Sequence, residues 1–169
     1  MTRTPASRFA ETLRRAEFAF TAEIAPPVSG LGDDLVALAA PYEGMVDALN
    51  VTDGPRGLVH MSGLAAAGIL CRQGFDPILQ MTCRDRNRIA LQADLLGAAA
   101  LGIGNILALR GDDPPEGDDP PAKAVFDMDA REIIYVAHRM SLDGVTSNGR
   151  NIESPPQLFM GAADTPVDP

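Results

Sequence analysis

Two carboxylates and one guanidinium stand out by where they fall. Residues 105–113 read Asn-Ile-Leu-Ala-Leu-Arg-Gly-Asp-Asp, so an apolar run from Ile106 ends in the charge of Arg110, and Gly111, Asp112, Asp113 and two prolines follow. An apolar run closed by such a break reads as a strand buried on both faces. Strands of that kind build parallel sheets whose loops carry the chemistry. Arg110, Asp112 and Asp113 are therefore expected where a buried strand opens onto its loop, the alternative being an acidic surface turn. The second carboxylate is Glu23, near the end of the strand candidate 18–24, which Pro26-Pro27 terminates. A glutamate at the end of a buried strand is costly unless it is paired or functional.

Other reactive side chains carry weaker signals. Cys83 adjoins Arg84, and a neighbouring cation can lower a thiol pKa, but no histidine lies near it in sequence. Arg84, Arg86 and Arg88 read mainly as a solvated face. His60 and His138 have no partner at metal-ligand spacing and read as surface residues. Asp112, Asp113, Asp118 and Asp119 lack the closing glutamate of a calcium loop. They belong to an acidic Pro/Gly-rich loop over 113–124, and a loop of about a dozen residues is usually functional or disordered. No metal is expected.

The elements that must hold these groups alternate. A short helix over 6–17 reads as an N-terminal lid. Strand candidates follow at 18–24, 45–52, 76–82, 106–110 and 157–163. Between them the sequence predicts helices over 33–40, 61–72, 89–101 and 129–140. The second strand runs through Thr52 into Asp53-Gly54-Pro55, a strong turn signal. Strands joined by helices require right-handed parallel crossovers, and two closures fit, a doubly wound sheet or a (β/α)8 barrel. The first strand is followed by Ala-Pro-Pro-Val-Ser-Gly, not the glycine-rich turn of a nucleotide site, so the barrel is preferred. The expected fold is α/β, of (β/α)8 TIM-barrel type, with about five strands and four helices, hence an incomplete barrel. Such barrels usually need about 200 residues or more, so residues 1–169 are expected to be a single α/β domain and the N-terminal portion of a longer barrel.

Composition narrows the partners. A net charge of −9 and a pI near 4.5 argue against a nucleic-acid binder. They leave room for a small anionic ligand held by local arginines. No apolar run reaches the roughly 18 residues of a membrane span, and the N-terminus lacks the apolar core of a signal peptide. Two cysteines without a second pair fit a reduced, cytoplasmic setting.

Three segments together resemble the methylenetetrahydrofolate reductase family: 20–27 (Phe-Thr-Ala-Glu-Ile-Ala-Pro-Pro), 80–96 (opening Gln-Met-Thr-Cys-Arg-Asp-Arg-Asn-Arg) and 106–112. Residues 159–163, Phe-Met-Gly-Ala-Ala, are similar to that family's next strand. The likeness runs over roughly 18–165. It implies a (β/α)8 barrel holding a flavin, usually FAD, at the C-terminal strand ends. It also implies hydride transfer from NAD(P)H through the flavin to methylenetetrahydrofolate. By resemblance Glu23 is the general acid, and Asp112 lies beside the flavin and the pterin as a catalytic and substrate-binding residue. Thr52 falls at a position linked to flavin and nicotinamide. Asp53 and Pro55 fall on a flavin-facing loop, Arg110 and Gly111 at flavin contacts, and Phe126 and Asp127 at positions flanking the cofactor.

Two departures stand out. Gln80 replaces a histidine found in some members, although its amide can still hydrogen-bond a flavin. Ala22, Ile24 and Ala25 surround Glu23 where phenylalanines are common. The alternative function is a non-catalytic or partner-dependent fragment or subunit of the same fold, completed by a homo-oligomer or a partner subunit. In the chain alone the first and fifth strands are sheet edges, and exposed apolar edges pair with other chains. Phe20, Ile24 and Phe159 are expected to be more exposed than in a closed barrel, and the isolated chain is expected to self-associate or unfold partly, and to bind flavin weakly. Sedimentation velocity checks this, and a monodisperse monomer with a cooperative melt and micromolar flavin affinity contradicts it.

Overall fold

The computed structural model describes residues 7–113 and 118–163. Helix α1 (Arg8–Arg14) comes first, then β1 (Thr21–Ile24), α2 (Gly32–Ala39), β2 (Ala48–Val51) and α3 (Gly63–Arg72). The order continues with β3 (Pro77–Thr82), α4 (Arg88–Ala100), β4 (Asn105–Leu109), α5 (Ala130–Leu142) and β5 (Phe159–Ala162). Helix starts follow local chemistry. Ser62 caps α3, Asn87 accepts the Ile89 and Ala90 amides at the start of α4, and Asp129 with Glu132 forms a reciprocal capping box on α5.

The sheet decides between the two closures. Its order is β1-β2-β3-β4-β5 and every pairing is parallel. A doubly wound sheet reverses direction at a switch point, and this one never reverses. Sequential right-handed crossovers therefore put α2 to α5 on one face. There α3 packs on β2 and β3, α5 packs on β4 and β5, and neighbouring helices touch. The fold is α/β with five parallel strands and alternating helices, the arrangement of a partial (β/α)8 barrel wall.

Strand alternation divides the side chains between two environments. Ile24, Leu49, Val51, Leu79, Met81, Ile106 and Ala108 join Leu35, Leu70, Leu95, Ile133 and Met140 in one apolar layer. The opposite face carries Glu23, Asn50, Thr52, Gln80, Thr82 and Asn105, interleaved with Ile78, Leu107 and Leu109. Helix α1 crosses the N-terminal end of the sheet, as a lid was expected to. The Phe9 amide donates to Asp76 at 2.8 Å, Arg8 donates to the Gly74 carbonyl at 2.6 Å, and Ser7 meets Asn105. Phe9 also stacks edge-on against Phe159, with centroids 6.3 Å apart.

Two expectations change. The first strand begins at Thr21, not at residue 18, because Asp47 takes the Phe20 amide with its carboxylate and the Phe20 carbonyl with its own amide, both at 2.8 Å. That leaves Phe18 at 81% and Phe20 at 63% exposure, stacked on each other. Phe159 is likewise open, but Ile24 is 4% exposed, since its side chain points into the helix layer and not toward the edge. The acidic loop 113–124 lies partly outside the described residues. No described helix is long and apolar enough to cross a membrane.

Leu79 sits at the centre of the layer with 1% exposure. Leu79→Ala is expected to lower the unfolding free energy by about 2–5 kcal/mol in urea titration, with an unchanged denaturant slope.

Candidate active site

The C-terminal ends of β1 to β4 surround a cleft of about 400 Å³, within the roughly 300–1,000 Å³ usual for small-molecule sites. Glu23 enters from β1. Thr52, Asp53, Gly54 and Pro55 come from the end of β2 and its turn, Gln80 and Thr82 from β3, and Arg110, Gly111 and Asp112 from the loop after β4. Eight of the ten residues singled out from sequence therefore share one space. Phe126 and Asp127 do not line it. Phe126 stands beside it instead, with the Arg110 guanidinium 4.3 Å above its ring.

Glu23 is exposed, and its carboxylate accepts a hydrogen bond from Gln80 Nε2 at 3.0 Å. The resemblance implies an apolar enclosure around this acid, and the described residues do not supply one. Gln80 itself is 8% exposed. Asp112 is exposed and accepts the Arg56 amide at 3.0 Å, which links the loops after β2 and β4. Arg110 pairs with exposed Asp113 and donates to the Gly111 carbonyl, both at 3.1 Å, and keeps most of its guanidinium toward solvent. Thr52 is 6% exposed, yet its hydroxyl has no partner among the described residues. A buried polar group left unpaired is costly, and its persistence calls for a reason such as a ligand.

Asp53 and Asp127 are engaged elsewhere. The Asp53 carboxylate accepts the Thr82 amide at 2.9 Å and the Thr82 hydroxyl at 3.0 Å, and it also pairs with Arg86. Arg86 reaches on to Asp94 of α4 at 3.0 Å. Asp127 grips Arg88 through the Arg88 amide at 2.9 Å and its guanidinium. The hydrogen bond from the Arg88 side chain is the main reason the Asp127 carboxyl is held below its usual range.

Of the three arginines only Arg88 is on a solvated face, with its side chain 51% exposed. Arg84 is 4% exposed and lines the cleft, and Arg86 is mostly enclosed between two acids. Alternating charges hid this in sequence, although Arg84 lies two residues past a strand end, close to the signal that singled out Arg110. Asn50 was also missed. It lies on the inner face opposite Glu23, and its side-chain oxygen is buried without a partner. Cys83 does not have the lowered pKa that its neighbour Arg84 could have given it. It points into the helix layer, fully buried, and donates to the Leu109 carbonyl at 3.1 Å. Burial, with Asp129 adding to it, pushes its thiol up to about 11. No group of three or more metal-ligating side chains gathers among the described residues.

A parallel (β/α) wall with an acid, an amide, an unpaired hydroxyl and a cation converging at its C-terminal strand ends is the architecture of a barrel enzyme. Residues 8–141 match the family described as Methylenetetrahydrofolate reductase. That span is most of the chain, and the chain belongs to this family. The family is a TIM barrel of oxidoreductases in folate metabolism, generally flavin-dependent. No curated protein matches the chain.

Cys83 offers a direct check on the site's wall. At pH 8 it is expected to stay unreactive toward a thiol reagent in the folded protein and to react at once in urea. Its contribution to stability is present below pH 9, the thiol's ordinary value, and is lost as pH rises through about 11. Ready labelling of Cys83 in the folded protein at pH 8 contradicts the buried placement.

Proposed function

We propose that this chain carries out flavin-dependent reduction of 5,10-methylenetetrahydrofolate to 5-methyltetrahydrofolate, with NAD(P)H as electron donor. The observation that supports it is the convergence of Glu23, Thr52, Gln80, Arg110, Gly111 and Asp112 on one cleft. The residues fit a flavin. Thr52 offers an unpaired hydroxyl, Gln80 an amide and Arg110 an open guanidinium, and Pro55 and Gly111 shape the turns at the rim. Bound FAD supplies the hydride, taken beforehand from the nicotinamide.

The chain's own residues manage the proton and the pterin. The substrate's five-membered ring opens when one bridging nitrogen takes a proton and its bond to the methylene carbon breaks. The carbon is left as a cation shared with the other nitrogen, and a hydride with its electron pair converts it to a methyl group. Glu23 is the acid that gives the proton. An amide can donate to a carboxylate or accept from a carboxyl O–H, so Gln80 can hold Glu23 before and after the transfer. Asp112 accepts hydrogen bonds from the pterin's amino and ring N–H groups. Its negative charge disfavours extra electron density on the flavin, which helps the hydride leave. Asp53 and Asp127 act as framework, fixing the turn after β2 and the segment that carries Phe126.

A second reading has its own support. Glu23 is exposed on a strand whose outer edge is unpaired, beside the open Phe18–Phe20 pair. A second copy or a partner subunit over that edge would enclose the acid, which makes activity partner-dependent. The absence of a second cysteine pair accords with a cytoplasmic setting.

The test is Glu23→Gln, assayed separately for flavin reduction and folate reduction. Flavin binding and reduction by the nicotinamide are expected to persist, while folate reduction falls by roughly two to four powers of ten, the usual worth of a general acid. Normal folate turnover would remove Glu23 from the acid role. A wild-type chain that elutes with flavin but reduces no folate until mixed with a partner would favour the second reading.

A further inference from the structure

We propose that Arg84 is the positioning residue of the cleft, the side chain around which the loops after β2, β3 and β4 are set. It is a charged group at 4% exposure at the meeting point of those loops. Its Nε and Nη2 each reach an Asp85 carboxylate oxygen at 2.7 Å, and Nη2 also donates to the Gly54 carbonyl at 3.1 Å. A planar fork suits a bidentate carboxylate in a way an ammonium does not. The Arg84 carbonyl takes the Val125 amide at 2.7 Å, which anchors the chain as it returns from the acidic loop.

The neighbouring turns are shaped to this side chain. Gly54 has φ +56°, and a Cβ there would lie 2.6 Å from Arg84 Nη2. Gly111 has φ +87°, and a Cβ there would lie 3.0 Å from Thr82 Cβ and 3.2 Å from Arg84 Cβ. Both glycines combine a left-handed backbone with close approach, conditions that other residues meet poorly. The loops so placed touch each other through the Arg56 amide and the Asp112 carboxylate. The charges facing Arg84 are Asp85, Asp53 and Asp112, and they hold its guanidinium above its ordinary range, the Asp85 hydrogen bond first among them. Arg84 thus acts through Asp112 and the Gly54 turn, with no part in the proton transfer.

The structural half of this inference stands alone, and its effect on the cofactor rests on the flavin reading above. The experiment uses the whole chain with Arg84→Met, Arg84→Lys and Asp85→Asn. Amide exchange is followed at Arg56, Gly57, Leu58 and Val125, with Met81 and Ala108 in the strands as references. Exchange at the loop amides is expected to rise about tenfold or more while the strand amides hold. The FAD dissociation constant is expected to rise by about one to two powers of ten, as misplacement of a site by about an ångström does. Arg84→Lys keeps the charge but not the fork and is expected to resemble Arg84→Met; full recovery by lysine would overturn positioning in favour of charge alone. If Arg84→Met fails to fold, Asp85→Asn decides, since Asp85 is 50% exposed and its loss opens no cavity. Unchanged loop exchange in Asp85→Asn and in any folded Arg84 variant overturns the inference. Loosened loops with unchanged FAD affinity would keep Arg84 in its role and count against the flavin reading instead.

Discussion

Parallel strands cannot be joined by a tight turn, so each step from one strand to the next must leave the sheet, cross it and re-enter at the same end. In this chain the strands pair in sequence order. Every crossover therefore has the same hand and the same face, and all the strand C-termini open on one side. That constraint brings Glu23, Thr52, Gln80 and Asp112 together although 89 positions separate the first from the last by number (112 − 23). No single contact among them is strong enough to do so. Core burial on the helix side supplies the stability, and the cleft is a geometric consequence on the opposite face.

The price of such a face is that its polar groups need partners. The chain meets this with a graded set of ion pairs. Asp53, Thr82, Arg86 and Asp94 form a continuous network that ties the end of β2 to β3 and to α4. Breaking one member of a largely enclosed pair strands the other charge, so a network of this kind specifies geometry more than it adds stability. Arg110–Asp113 and Arg88–Asp127 lie farther out, and exposed pairs of that kind contribute little. The interaction strengths thus follow depth, with the fixed groups below and the groups free to meet a ligand above.

Much of this was legible in the sequence because it rests on local signals. Apolar runs marked all five strands, most of them ended by Gly, Asp or Pro, and apolar stretches between them marked the helices. The strand-end rule then found Glu23, Arg110 and Asp112 in the cleft, and the family resemblance added Thr52, Asp53, Pro55, Gln80 and Gly111. Failures fall where a long-range partner sets the outcome. Cys83 follows a strand whose inner-facing residues line the cleft, and only the alternation of faces sends it into the helix layer. Arg84 and Arg86 look like solvated charges until Asp53, about thirty positions upstream, folds over them. Residue 18 looked like a strand start because Phe and Ile favour sheets, and Asp47 ended the ladder two residues short of it.

The inner face also explains why the site can tolerate unpaired polar atoms. On the helix side a lone hydroxyl would sit among Leu49, Leu79 and Met81 and lose its water for nothing. On the opposite face Asn50 projects from β2, and Thr52, just past its end, lines the cleft. Their unpaired oxygens cost stability in the free chain, and a ligand with matching donors recovers that cost on binding. Unsatisfied groups on this face are therefore consistent with a site whose polar complement is completed from outside, while ion pairs hold Asp53, Arg84 and Arg86 in the framework beneath, where among the described residues Arg86 Nε alone of their charged atoms is buried without a partner.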